Sequence, residues 1–418
     1  MQCLWLTLAD PEPATNGQLI YSKGLIEAAC RAGASLTVIG LSRPGHSRPP
    51  QDPLGIDWQL VEEESTAAWR RFLSRHPLVC QRHSPSMGEA LARALTERSW
   101  DLVVFDSICA GWALDMVVKQ CRGRTRPPRI AYLAHNHEVT VARRIAASAR
   151  GLRGLVKRID ELKVRVLEHQ LVSASDIVTS NTPEDCRKFM SDSGGQSITL
   201  LRPGYDGPRI HSRMIDSRVP RRAILVGSLD WPPKRISVEA FLEAAAARLA
   251  NAGVALQIVG EVEPGYLSQL RQRFPSVDFV GPVPDVGPYM RQARLALVPD
   301  LLGGFKLKGL DYVFHRLPIL SMQNALPGMP LEDGRSIGLF DSHAALADGV
   351  LALIDDFKAL NERQELAYAA CTDRFDWDRI GQLLVAQMRA AVEGRLRAGA
   401  DVRTSGALPP ATRLAAGK

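Results

Sequence analysis

Short apolar runs alternate with stretches of helical period along most of the chain. Cys3–Leu8 is followed by a Pro/Gly loop, Asp10–Gly17, then by a helical pattern over Leu19–Arg31 and a second apolar run, Ser35–Ile39, closed by Gly40. The same unit recurs. Leu102–Phe105 precedes a helical stretch to Lys119, Ile130–Ala134 precedes a helix-rich region, and Asp176–Thr179 precedes a helix starting near Thr182. Runs this short, bounded by turn residues and spaced by helices, predict a parallel sheet covered on both faces.

Between Ile198 and Arg222 the chain turns to Pro, Gly, Ser and Arg with little periodicity, as expected of an interdomain connection. The rhythm then restarts, with strands expected at Ala223–Val226, Ala255–Val259, Val277–Val280, Leu295–Val298 and Pro318–Ser321. Helices are expected at Ile236–Ala250, from Gly265, near Val286–Gln292 and over Lys308–Phe314. The pattern therefore reads as α/β with two doubly wound, Rossmann-like domains, residues 1–205 and 222–375, joined by a linker over 206–221. A long helix, 376–397, and a tail of disordered composition, 398–418, complete the chain. In open α/β sheets ligands sit beyond the carboxyl ends of the strands. The loops Asp10–Gly17, His135–Glu138, Gly227–Lys234, Gly260–Glu263 and Asp300–Lys308 should thus converge on the cleft between the domains.

Composition narrows the class without naming it. With 418 residues, 45% hydrophobic and 23% charged, the chain is globular, and 52 Lys+Arg against 45 Asp+Glu leave a mild positive excess suited to anionic ligands or surfaces. Seven scattered cysteines with no CxxC pair argue against a disulfide framework or a zinc site, and point to a reducing, cytoplasmic setting. No run approaches the ~18 consecutive apolar residues of a spanning helix, and Met1–Asp10 lacks the features of a signal peptide. Any membrane contact is expected to be peripheral.

The most informative segment runs from Val298 to Tyr312. Gly303 and Gly304 open a helix, so backbone N–H groups can approach an anion at the positive end of the helix dipole, and Lys306 and Lys308 add charge at the same point. That suits a diphosphate. Asp311, further into the helix, is placed to accept hydrogen bonds from a ribose diol. An ordinary glycine loop with solvated lysines would have the same local sequence.

This segment, with Gly304-Phe305-Lys306-Leu307-Lys308 and Asp311, resembles the nucleotide-sugar motif of family-four GT-B glycosyltransferases in its Gly-x-[Arg/Lys]-Leu-Lys-x-Leu-Glu variant. Other parts match in order. Gly227-Ser228 with Pro233-Lys234 resembles the glycine loop opening the family's second domain, and His135-Asn136-His137-Glu138 with Arg143 and Arg144 resembles its His-Asn-x-Glu loop. Pro13–Gly17 ahead of Tyr21 and Leu25 resembles the first glycine loop, and Arg374–Trp377 the segment before the family's final helix. Three positions depart from the pattern. Gly303 stands where many relatives carry a glutamate that meets the donor sugar, Asp311 replaces a glutamate, and Lys234 stands where many have asparagine.

The resemblance implies transfer of a sugar from a nucleoside diphosphate sugar to an acceptor hydroxyl, with retention, with no further cofactor and without a catalytic metal, in polysaccharide or glycoconjugate assembly. It makes Lys234, Lys308 and Lys306 the groups on the leaving diphosphate, with the Gly17 backbone approaching from the other domain. His135 and Glu138 are the titratable candidates beside the donor sugar or acceptor, although a loop histidine satisfied by backbone is the simpler account of His135. His137, facing the other way in an extended loop, ranks lower. Gly260 and Glu261 match the turn where the base or ribose passes, or form a plain polar turn. Arg202–Asp206 resembles a hinge segment. The histidines have no metal-ligand company, so no metal site is expected.

Arg143–Arg165 carries eight basic residues against Asp160 and Glu161, with Leu152, Leu155, Val156, Ile159 and Leu162 at helical spacing. Such a helix can rest on an anionic bilayer, which suits a lipid-linked glycan acceptor, or it can pack its apolar stripe on the sheet. No aromatic is interleaved with these basic residues, which argues against nucleic acid as a partner. A non-catalytic nucleotide- or membrane-binding protein and a nucleotide-sugar epimerase of the same fold remain the alternatives.

Overall fold

A computed structural model describes residues 1–64, 74–80, 85–194, 196–229, 232–301 and 304–395. The expected tail over 398–418, Trp231 and Gly303 lie outside these residues. Two parallel sheets form the framework. The first contains β1 (Gln2–Ala9), β2 (Ser35–Leu41), β3 (Asp57–Val61), β4 (Leu102–Asp106), β5 (Arg129–Ala134), β6 (Ile177–Ser180) and β7 (Ser197–Leu200), in spatial order β3-β2-β1-β4-β5-β6-β7. The second contains β8 (Arg222–Val226), β9 (Ala255–Val259), β10 (Val277–Gly281), β11 (Leu295–Val298), β12 (Ile319–Met322) and β13 (Gly338–Phe340), in order β10-β9-β8-β11-β12-β13.

The inner strands are nearly continuous apolar runs because helices cover both their faces. In β4 every residue of Leu-Val-Val-Phe-Asp is buried, whereas the edge strand β3 is only half-buried along its length. Strand order reverses between β1 and β4 in the first sheet and between β8 and β11 in the second. A doubly wound sheet opens a crevice at such a switch point. Gly17 starts the helix after β1, Asp106 ends β4, and Gly227 and Asp300 lie in the loops that leave β8 and β11.

Several details differ from the sequence expectation. Gly40 lies inside β2 and does not close it. The connection between the sheets starts later than Ile198, since Ser197–Leu200 pairs with β6. Strands β3 and β13, and the helices Pro85–Glu97, His343–Leu353 and Phe357–Cys371, are additional. After Leu200 the chain crosses to β8, where the second core begins around Ile224, Leu225, Phe241 and Leu297.

The last described helix, Trp377–Val392, returns to the first domain and packs on the helix Gly17–Arg31. The Trp377 ring fills the space left by Gly24 and Gly204, where any Cβ would collide with it. Ile380, Leu384, Val385 and Met388 continue the contact into the core with Leu25, Ala28 and Ala29. At its exposed end, Arg31 Nε donates to Asp378 Oδ1 at 2.7 Å.

The helix Gly151–Ala174 has two apolar faces. Val164, Leu167, Leu171 and Val172 are buried against the first sheet, while Leu152, Leu155, Val156, Ile159, Leu162 and Val166 are exposed, Leu152 at 85%. The stripe singled out in the sequence is therefore not packed on the sheet. No described helix is long and apolar enough to cross a membrane.

Candidate active site

One cleft of about 280 Å3 opens between the domains, lined from the first by Gly17, Gln18, Ser107, His135, Asn136 and Glu138, and from the second by Phe305 and Leu307. Two helix N-termini meet there. Asn16 caps the helix Gly17–Arg31 through Oδ1, which accepts the Leu19 N–H. The helix Leu307–Phe314 starts with no side-chain cap, so its first N–H groups are not taken by a capping side chain. A Cβ on Gly17 would lie 4.0 Å from Leu307 Cδ1, so the two positive dipole ends approach the same point. The helix Leu307–Phe314 is fixed to its own sheet by Tyr312, whose hydroxyl accepts the Val226 N–H at 2.7 Å, just before Gly227.

Gly227 and Gly260 end neighbouring strands with φ of 122° and 147°, conformations that favour glycine. A Cβ on Gly260 would press on the Gly227 carbonyl, so the two turns nest against each other. Ser228 is exposed beside Gly227, and Glu261 is exposed with its carbonyl accepting the Leu229 N–H at 2.8 Å. Lys234 brings its ammonium to 2.9 Å from where a Gly227 Cβ would stand.

The lysines surround a carboxylate that the sequence reading did not single out. Asp300, only 4% exposed, accepts from Lys308 Nζ at 2.6 Å through Oδ2 and lies 3.8 Å from Lys306 Nζ through Oδ1. Burial pushes the Asp300 carboxyl up, but Lys308, Lys306 and Lys234 together outweigh it and hold the group at about 2. Burial also lowers the Lys306 ammonium to about 8, against the pull of Asp300. Next to these, Gly304 faces the other domain, where a Cβ would overlap Asn136 Oδ1. Phe305 packs on Phe375 with ring centroids 5.7 Å apart.

Asp311 is placed differently from a carboxylate wholly open to a ribose. Its Oδ1 accepts from the Tyr205 hydroxyl at 2.9 Å, so the hinge segment occupies one of its oxygens. Burial raises Asp311, and the Tyr205 bond partly counters this.

In the first domain His135 is 7% exposed, and its Nε2 sits 2.6 Å from Asp106 Oδ1. Asp106 Oδ2 in turn accepts from Trp5 Nε1 at 3.1 Å. A carboxylate only accepts, so this pairing keeps a proton on Nε2, while Nδ1 has no partner among the described residues. His135 is thus held by a side chain, and its backbone carbonyl separately accepts from Asn181 Nδ2 at 2.7 Å. Ser107, immediately after Asp106, has φ of 69°, a strained setting for a non-glycine residue at the wall of the cleft.

Glu138 opens the helix Glu138–Ser148 and accepts from Asn136 Nδ2 at 2.9 Å; burial raises its carboxyl, with the Asn136 bond and His135 opposing. A second buried carboxylate, Glu168, accepts the N–H groups of Glu138 and Val139 at 2.9 and 3.0 Å and so fixes this loop. His137 does not line the cleft; its ring packs at a tilt against Phe189 and pairs through Nε2 with Asp192 Oδ2 at 2.9 Å. Arg143 and Arg144 are exposed on the next turns. Among the described residues no group of three or more His, Cys, Asp or Glu is arranged to hold a metal ion.

Paired helix N-termini and a buried histidine meet at this cleft, and Lys306 and Lys308 flank its lining residue Leu307 in the chain, a set that can bind a diphosphate and orient what is attached to it. Comparison with known proteins points the same way. Residues 220–356 match the model of the glycosyl transferases group 1 family. A search of curated protein sequences returns no significant match. Among solved structures, sucrose-phosphate synthase from Thermosynechococcus elongatus superposes with a TM-score of 0.72 at 16% identity, over 94% of this chain and 100% of that one. Anabaena HepE in complex with UDP and glucose gives 0.63 at 15% identity, over 93% and 100%. WaaG, a glycosyltransferase involved in lipopolysaccharide biosynthesis, gives 0.56 at 15% identity, over 94% and 98%. At these identities the structural likeness establishes the fold, and the family match carries the chemistry. Residues 220–356 accordingly form a group 1 glycosyl transferase domain, set in a chain of GT-B fold.

Proposed function

We propose that the chain moves a sugar from a nucleoside diphosphate sugar to an acceptor hydroxyl with retention of anomeric configuration, needing neither a metal nor a further cofactor. The observation that carries this reading is the gathering of Lys234, Lys306 and Lys308 at the carboxyl edge of the second sheet, opposite Gly17. As the bond from the sugar C1 to the diphosphate oxygen breaks, negative charge grows on the diphosphate. Preorganised ammonium groups and helix N–H donors at that point lower the barrier. They supply the positive charge that a divalent ion supplies elsewhere.

The acceptor oxygen forms the new bond to C1, and its proton passes to an oxygen of the departing diphosphate, so no side chain has to act as base. His135 and Glu138 both line the cleft and are the titratable groups placed beside the donor sugar or acceptor. HepE holds UDP and glucose, which makes UDP-glucose the first donor to try.

The acceptor is proposed to be a glycan or lipid-linked glycan presented at an anionic, cytoplasm-facing membrane surface. The exposed apolar stripe of the helix Gly151–Ala174 lies among Arg150, Arg153, Lys157 and Arg158, which supports peripheral docking. The phosphate assignment is tested by turnover. Lys308→Ala and Lys234→Ala should each slow transfer or donor hydrolysis by roughly 10²–10³-fold. Unchanged rates in both variants would remove the lysines from the reaction.

A further inference from the structure

A buried, ionised carboxylate in the middle of an anion-binding cluster is unexpected, because it reduces the positive charge that a diphosphate would meet. Asp300 is such a group. It stands two residues beyond β11 at the switch point of the second sheet and accepts from Lys308 in the first turn of the helix Leu307–Phe314. Lys308, Lys306 and Lys234 all act on the one carboxylate and keep it ionised.

We infer that Asp300 is an internal counter-anion that holds Lys308 in place and weakens the cluster's grip on the leaving nucleoside diphosphate, so that it promotes product release. The inference rests on the reading that these lysines take the donor diphosphate. Breaking the bond to the sugar frees a phosphate oxygen, so the leaving nucleoside diphosphate carries more negative charge than the diphosphate of the intact donor. A fixed anion beside the site therefore repels the product more than the substrate. An ammonium has three N–H donors, so Lys308 can keep its bond to Asp300 while it also meets a phosphate oxygen. Asp300 is a positioning residue in this account and does not touch the reacting atoms.

A role confined to holding Lys308 predicts the opposite effect of its removal, because a loosened lysine would bind phosphate less well. The test is calorimetric titration of the full chain with inorganic diphosphate and with UDP, in Asp300→Asn and Asp300→Ser, each checked for an intact melting transition. Diphosphate should bind on the order of tenfold tighter in both variants. Inhibition by the nucleoside diphosphate product should strengthen and kcat should fall, with KM for the donor changing less. In a Lys308→Met background the gain from removing Asp300 should shrink, as expected of two groups that act on each other.

Equal or weaker binding of diphosphate to a folded Asp300→Asn or Asp300→Ser protein would overturn the inference. The underlying reading fails separately, and visibly, if Lys308→Met leaves diphosphate binding unchanged. Should only one of the two Asp300 variants fold, that one decides.

Discussion

At the scale of single residues, the two acidic groups that organise the cleft, Asp106 and Asp300, occupy matching places. Asp106 ends a strand and Asp300 follows one, each at a point where its sheet reverses order, and each holds a basic side chain, His135 in one domain and Lys308 in the other. Asp106 is not marked in the sequence by a motif, because the bonds that define it reach far along the chain, as from Trp5 to Asp106, whereas Asp300 pairs close by, with Lys308. Burial, despite Asp300, leaves the Lys306 ammonium titrating at about 8 in the free protein, and a bound diphosphate favours the charged form and raises that value. Binding should then take up a proton above pH 8, and affinity for diphosphate should decline as pH rises from 7 to 10. Calorimetry in buffers of different ionisation enthalpy measures the uptake directly, and Lys306→Met should remove most of it. The glycine and lysine positions of the site were legible in advance because their chemistry is local: a turn, a helix start and a charge lie within a few residues. Asp311 was legible only in part. Its bond to Tyr205 comes from the hinge, over a hundred residues away, and no local pattern signals it.

At the scale of elements, the helix Gly151–Ala174 shows what a one-dimensional pattern leaves open. Its apolar residues are numerous enough for two faces, and a single sequence cannot say which face the sheet takes. The structure buries the Val164, Leu167 and Leu171 side and exposes the Leu152, Leu155 and Leu162 side. The account predicts that a Leu155→Asp, Leu162→Asp double variant loses sedimentation with anionic liposomes while its melting temperature and nucleotide binding stay close to those of the parent. Binding of the parent should also fade with added salt, because surface attraction is screened within about 10 Å at 0.1 M. No liposome binding by the parent protein at low salt would end the membrane proposal. The inner strands were legible from their apolar runs, whereas β3 and β13 were not. The first is a half-buried edge strand of mixed residues, Asp-Trp-Gln-Leu-Val, and the second is only Gly338–Phe340, shorter than any reliable periodicity.

At the scale of the whole molecule, the chain returns from the second domain to the first through the helix Trp377–Val392, which is anchored there by a buried indole. Trp377 is 5% exposed and occupies the space above Gly24 of the first domain and Gly204 of the connecting segment. Replacing it by alanine would leave a cavity that neither backbone can fill, at a cost of about 3–5 kcal/mol. Trp377→Ala should therefore melt markedly earlier, which thermal unfolding would register. A melting temperature within a degree of the parent would show that the domains are joined by other contacts. The rhythm of strands and helices made the two-domain plan legible, since each unit of that plan is local. The closeness of the domains was not, because it depends on contacts such as Gly304 against Asn136 that join opposite ends of the fold.

The cleft between those domains is the centre of the account, and nucleotide binding interrogates it most directly. Thermal unfolding of the parent and of Lys308→Ala should be followed with UDP, GDP, ADP and CMP and their common sugar conjugates, each with and without EDTA. A ligand bound only by the folded state raises the melting temperature by mass action. The account predicts that one nucleoside diphosphate and its sugar conjugate stabilise the parent, equally with EDTA, and that Lys308→Ala loses most of the shift. No shift with any nucleotide, or a shift that EDTA abolishes, would contradict it.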